Sequence, residues 1–329
     1  MCIVPWIPPR AVCRVEAHSQ LGAKSDGLYI DSFIPPDRLD TSFTQENLAR
    51  VRSAAAHAIK AGAKIVSLGG FSSILIEGNF DMIPLRGNTA FTTGNSLTVA
   101  FIISGIKKMC AMDHRELSTA TVLIVGATGD VGSGCARCLA PLVGRMILCA
   151  RNMGRLRRLQ RELETQGVQV DVAASIDELR TRADIVVCAA SLPSPSLLLG
   201  KLSPNAVVCD AGYPKNLAPL WKGNGSKVFF GGLGQVTSGM TFVPAVGGVL
   251  NRHPFPDVAH GCLLEGMALA LEKRFEPFSE GRGFITPERV DEIEKMADRH
   301  GIRLAPLYNG DGPIGVGYDR EAEGIAQWA

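Results

Sequence analysis

Two hydrophobic patterns alternate along the 329-residue chain. Short apolar runs closed by Gly or Pro mark strands, and longer stretches with apolar residues three or four apart mark helices. In the first part, GLYIDSFI (Gly27–Ile34) predicts a strand ended by Pro35-Pro36, and Glu46–Ala61 a helix stopped by Gly62. KIVSLGG (Lys64–Gly70) predicts a short buried strand and TAFTTGN (Thr89–Asn95) another. Asn95 or Ser96 is placed to cap the next helix, which runs to about Met112. The polar stretch Asp113–Thr119 reads as a hinge.

The pattern then restarts at TVLIVG (Thr121–Gly126), with further strand-like runs at Arg145–Cys149, Val168–Val172, Ile185–Ala189, Ala206–Asp210 and Val228–Phe230. Helical segments between some of these give the alternation of a doubly wound parallel sheet. Two late helices are predicted, Asp257–Arg274, expected to pack back onto the first unit, and Pro287–His300. The Gly-rich tail after Leu307 is expected to be poorly ordered. The fold class is therefore α/β, a Rossmann-type doubly wound parallel sheet plus an N-terminal α/β substrate domain. Its expected parts are a substrate domain over 1–115, a dinucleotide-binding domain over 116–250, and C-terminal helices with a tail over 251–329.

Composition narrows the partners. The chain is 46% hydrophobic and 20% charged with a net charge of only +2, and no block of like charges argues for nucleic acid or an acidic membrane surface. The apolar stretch Val99–Ile106 is too short to span a bilayer, so no stable membrane insertion is expected. MCIVPWIPPR lacks the long apolar segment and cleavage site of a signal peptide. The nine cysteines sit mostly in apolar runs, and no pair of CxxC motifs suggests a metal. Cys135 and Cys138 share a CxxC spacing but fall inside a helix, where they read as core positions. This usage suits a reducing cytoplasm.

The strongest motif is VGATGDVGSG, with Gly126, Gly129 and Gly132 between an apolar strand and a helix. Such a loop lets the backbone approach a pyrophosphate, and the helix start that follows offers N–H groups and a partial positive charge. Thr128, Asp130 and Val131 belong to the same expected cradle. At the end of the next strand, LCARNMGRLRRL places Arg151, Asn152 and Arg155 where an NAD site carries an acidic residue. Guanidinium groups there favour the 2′-phosphate of NADPH. Ala190 and, in the turn DAGYPKN, Gly212 and Tyr213 are expected to complete the cofactor contacts. LGGFSS (Leu68–Ser73) and FTTGNS (Phe91–Ser96) are polar Gly-rich turns after strands, where catalytic groups concentrate. Cys262 lies near the start of the late helix, whose N-terminal field favours a thiolate at neutral pH. His260 does not share its helix face, and His253 and His300 are further candidate bases that no spacing selects.

Six separated motifs occur in a shared order: LGGFSS, FTTGNS, VGATGDVGS, CARN, GYPKN, and CLLEGMALALE followed by FSEGRGFIT. In that order, over Gly27–Ile302, the chain resembles the long-chain acyl-carrier-protein reductases of cyanobacteria. It is more distantly similar to the shikimate dehydrogenase class in TGNS and in the two-domain plan. The resemblance implies that Cys262 takes the acyl group of a carrier thioester, that NADPH reduces it, and that a fatty aldehyde leaves. Acyl carrier protein or acyl-coenzyme A is the implied donor, and a homo-oligomer stays open. Ser96, Thr93 or loop N–H groups are the implied oxyanion donors. The chain departs from the family in a shorter N-terminal part, in VPAVGGVLNRHPFPD before Cys262, and in its tail. The alternatives are a shikimate-type NADP-dependent dehydrogenase, which needs no thiol, and a non-catalytic NADP-binding regulator.

Overall fold

The structure is a computed structural model that describes residues 7–34, 38, 43–76, 83, 87–190, 195–212, 215, 217, 225–244, 253–280 and 285–315. The chain divides into two compact units. The first comprises residues 1–97, 234–284 and 292–303, and the second residues 98–233, 285–291 and 304–329, so the segment after residue 250 is shared between them.

The first unit opens with strands β1 (Arg10–His18) and β2 (Lys24–Asp31), an antiparallel pair joined by a tight turn in which Ser19 N–H donates to Ala23 O at 2.8 Å. Helix α1 (Thr44–Lys60), strand β3 (Ile65–Ser67), helix α2 (Phe71–Ile76) and strand β4 (Ala90–Thr92) follow, and β3 and β4 pair in parallel. Leu48, Val51 and Ala55 of α1 form a core with Leu68, Ile76 and Phe91. The second strand thus begins and ends earlier than its composition suggested, because pairing with β1 sets its limits. The sequence reading missed β1, although Cys13, Val15 and Ala17 alternate as its buried face.

Helix α3 (Asn95–Met112) starts in the first unit and continues into the second, which holds a six-stranded sheet. Its strands are β5 (Thr121–Val125), β6 (Arg145–Cys149), β7 (Gln169–Ala173), β8 (Ala183–Cys188), β9 (Leu202–Asp210) and β10 (Lys227–Phe230). The order is β10-β9-β8-β5-β6-β7 and every neighbouring pair is parallel, so the doubly wound sheet inferred from periodicity is present. Helices α4 (Asp130–Leu139) and α5 (Met153–Glu164) follow β5 and β6, and α5 packs on β7 and buries Leu156, Leu159 and Leu163. Cys135 is buried in α4 as expected, whereas Cys138, read as a core position too, is half-buried.

Beyond the sheet come β11 (Leu233–Val236), β12 (Met240–Val243), β13 (Val258–His260), helix α6 (Gly261–Leu271), helix α7 (Pro287–Arg299) and β14 (Ile302–Leu304). Strand β12 joins β1, and β13, β11 and β14 form a small sheet. One expectation is corrected here. The helix predicted from Asp257 begins only at Gly261, because residues 258–260 give their backbone to the sheet with β11. A second correction concerns the tail. Tyr308–Asn309 pairs with Gly312–Pro313 in an ordered hairpin, while residues 316–329 lie outside the described residues. Among the described residues, no helix is long and apolar enough to cross a membrane.

Candidate active site

In the second unit, the glycine motif forms the turn between β5 and α4. Gly126 has φ +83°, and a methyl built on it would lie 2.9 Å from Ala189 O and from Ala190 Cβ. A methyl at Gly132 would overlap Gly126 O, so helix and turn touch there with no room between. Gly129 differs. Its φ of −80° suits any residue, and a built methyl meets only Gly126 O, at 3.5 Å. Nothing inside the described chain requires glycine at 129, so the space beside it is what a pyrophosphate would fill. No side chain caps α4 at Gly129. The cradle therefore fits a dinucleotide.

The other expected contacts lie at the carboxyl ends of neighbouring parallel strands, where such sheets bind ligands. A methyl at Gly212, just after β9, would come within 3.0 Å of Ala190 O, so these two turns abut. Arg151 and Asn152 follow β6, which is hydrogen-bonded to β5. Both are exposed, as is Arg155. Asn152 also has a structural task, since its Oδ1 accepts the Arg155 N–H at 3.0 Å and caps α5. Asp130 is buried in the first turn of α4. Tyr213 lies outside the described residues.

The thiol belongs to the first unit. Cys262 is the second residue of α6, which packs on β3. The Ser67 hydroxyl at the end of β3 donates to Cys262 O. Gly94, at φ +73°, lies so close that a methyl there would overlap the Cys262 backbone. A methyl at Gly69 would lie 3.0 Å from Sγ. The turns LGGFSS and FTTGNS thus meet at Cys262, which nothing in their separate sequences specifies.

The expectation of a thiolate at neutral pH is corrected. Burial pushes the Cys262 thiol up, the Gly70 and Leu263 N–H groups facing Sγ pull it down, and nearby Glu265 adds a further push up. Desolvation outweighs these N–H groups, and the thiol lies above its ordinary range. Alkylation of Cys262 by iodoacetamide, followed by peptide mass spectrometry, should therefore keep rising beyond about pH 8.5, the ordinary thiol pKa. A rate already level at pH 7 would contradict the burial account.

Ser96, a candidate oxyanion donor, stands in the first turn of α3. It is fully buried, and its Oγ lies 2.7 Å from Ser279 Oγ. The Gly70 N–H, one of the loop N–H groups expected here, faces Cys262 Sγ. Two residues that the motif reading passed over, Glu265 and Ser279, are buried beside Ser96. The available signal was a lone carboxylate in the apolar run GCLLEGMALAL. His260 is the exposed residue before α6. His253 has its ring 5.8 Å from that of His260. His300 is buried with Nδ1 2.7 Å from Ser19 Oγ and Nε2 3.2 Å from Glu272, a structural placement at the end of α7. Among the described residues no cluster is arranged for a metal, and the described cysteines are free.

The chain matches the family model "Shikimate / quinate 5-dehydrogenase" over residues 108–225, most of the second unit. It is 34% identical over 310 residues to the long-chain acyl-[acyl-carrier-protein] reductase of Synechococcus elongatus, covering 91% of this chain and 89% of that protein. It is also 26% identical over 260 residues to the aminotransferase PigE of a Serratia species, covering 78% of this chain but 30% of the relative. Among solved structures, the quinate dehydrogenase of Corynebacterium glutamicum in complex with NAD is 21% identical, covering 42% of this chain and 50% of that one, with a TM-score of 0.31. That likeness is too loose to bear on function.

Proposed function

This chain belongs to the family of the long-chain acyl-[acyl-carrier-protein] reductases, and from that membership we propose that it reduces a fatty acyl thioester to an aldehyde with NADPH, through a thioester on Cys262. Membership makes it an oxidoreductase working with a nicotinamide dinucleotide. The observation that carries the finer reading is the seat of Cys262, where Gly69 lies against the sulfur, Gly94 lies against the backbone, and the Gly70 and Leu263 N–H groups are turned to Sγ.

The Cys262 sulfur, once deprotonated, attacks the thioester carbonyl carbon. A C–S bond forms to Sγ, the C–S bond to the carrier breaks, and the carrier leaves as a thiolate that takes up a proton. Bound NADPH supplies a hydride for the acyl carbon. Collapse of the oxyanion then breaks the bond to Sγ, frees the aldehyde and returns the Cys262 thiolate. The Gly70 N–H, held at the reacting sulfur, is a fixed donor of the kind that stabilises such charge.

The donor is an acyl carrier protein or acyl-coenzyme A, and the reaction takes place in the cytoplasm. The test is intact-mass spectrometry after incubation with acyl thioesters of several lengths on each carrier, without cofactor. One acyl mass on Cys262, discharged as aldehyde when NADPH is added, is the expected result. A protein that reduces thioesters yet never carries an acyl group would refute the covalent route.

The 2′-phosphate is assigned to Arg151, exposed at the end of β6. Arg151→Ala should weaken NADPH binding by about 1–3 kcal/mol, the scale of a lost charge-assisted hydrogen bond, and leave NADH binding nearly unchanged. Fluorescence titration of both cofactors decides it. Equal affinity of the unmodified protein for NADH and NADPH would overturn the assignment.

A further inference from the structure

Glu265 is the charged residue of an otherwise apolar helix and is fully buried. A carboxylate removed from water needs donors, and the surrounding chain supplies them. The Thr92 hydroxyl donates to Oε1. The Leu97 N–H, in the first turn of α3, donates to Oε2 at 3.0 Å. Ser279 Oγ is 3.1 Å from Oε2 and 2.7 Å from Ser96 Oγ. One hydroxyl hydrogen cannot serve both, so Ser279 donates to the carboxylate and Ser96 donates to Ser279. The Ser279 N–H donates to Thr92 Oγ1 at 2.9 Å, and the Thr93 N–H to Ser279 O at 2.8 Å. The sequence reading assigned the capping of α3 to Asn95 or Ser96. The helix instead starts at Asn95, and the Glu265 carboxylate from another helix takes the Leu97 N–H.

Cys262 and Glu265 are three residues apart in α6 and so lie on one side of it. Gly94, the close neighbour of the Cys262 backbone, sits between Thr92 and Leu97, both of which hold Glu265. The carboxylate and the thiol are thus seated on the same turn. We propose that Glu265 is a positioning residue: by clamping α6 to residues 92–97 and to Ser279, it fixes the Cys262 sulfur at the Gly69–Gly70 backbone for attack on the acyl carbon. The inference rests on Cys262 being the acyl acceptor.

Two neutral variants separate clamp from charge. Glu265→Gln and Glu265→Ala both remove the charge, but only Gln retains the shape and part of the hydrogen bonding. Acylation of Cys262 in the full-length protein is followed by mass spectrometry with palmitoyl-coenzyme A, and alkylation with iodoacetamide runs in parallel. At saturating thioester, Glu265→Ala should acylate at least about tenfold more slowly than Glu265→Gln, because small displacements of a reacting group have large rate effects. The half-saturating thioester concentration and NADPH affinity should stay within about twofold in both, the signature of lost alignment rather than lost binding. Equal rates in the two variants would mean that only the charge matters, and would overturn the proposal. A loss of NADPH binding in proportion to the rate would reduce Glu265 to general stability and overturn it too. If Glu265→Ala does not fold, Thr92→Val, which removes one donor and keeps the charge, takes its place. It should slow acylation several-fold, and a wild-type rate would refute the clamp. If the unmodified protein takes no acyl group, the nucleophile reading fails separately, and the contrast in iodoacetamide rates at Cys262 between the Gln and Ala variants still reads the clamp.

Discussion

Cys262→Ala is expected to abolish aldehyde formation, by about three orders of magnitude or more, while the protein keeps its fold and its affinity for NADPH. The fold should survive because the contacts that alanine keeps include the closest ones, which are to the backbone of this residue. Ser67 donates to its carbonyl, and Gly94 lies against its Cα and carbonyl, both of which alanine retains. The dinucleotide cradle is built from other residues, Gly126 to Gly132 and the turns at Ala190 and Gly212. Acyl transfer alone requires the sulfur. The variant should therefore show the wild-type unfolding midpoint and NADPH titration, no acyl adduct and no aldehyde. Aldehyde made at near-normal rate would refute the covalent mechanism and leave direct hydride transfer to a bound thioester. An adduct on Cys135 or Cys138 would refute the residue assignment only.

Gly129→Ala should separate folding from cofactor binding within the glycine motif. The added methyl meets Gly126 O at 3.5 Å, an ordinary contact, and the backbone conformation is one alanine adopts freely. The folded protein should accept it with little change in thermal midpoint. A pyrophosphate seated beside residue 129 would not. Displacing it from two charge-assisted bonds to the turn costs about 3 kcal/mol, or about a hundredfold in Kd. Gly132→Ala is the control, since its methyl would overlap Gly126 O and should lower stability itself. Calorimetry and cofactor titration on both variants check this. Undiminished NADPH affinity in Gly129→Ala would show that no phosphate approaches the turn there.

Much of the second unit was legible in the sequence. Parallel strands buried on both faces appear as continuous apolar runs, as at Arg145–Cys149, where the expected limits and the observed strand coincide. The glycine motif was legible because each of its constraints acts within a few residues. The small sheets were not. Strand β13 is three residues long, and neither length nor periodicity marks it apart from the helix it precedes. Its state is set by β11, more than twenty residues earlier.

The candidate site divides along the same line. The sequence by itself determined the α/β alternation and the glycine loop and, through shared motifs, singled out Cys262 as the proposed nucleophile. All of these depend on local spacing or on residue identity. Tertiary structure alone decided that Ser67, Gly69 and Gly94 lie against that cysteine, that Glu265 rather than Asn95 or Ser96 serves the first turn of α3, and that the thiol lies above its ordinary range. Hydrogen bonds between residues more than 160 positions apart leave no periodic trace in the chain, and a pKa depends on how much water burial removes. Both are set by which surfaces meet once the chain has folded.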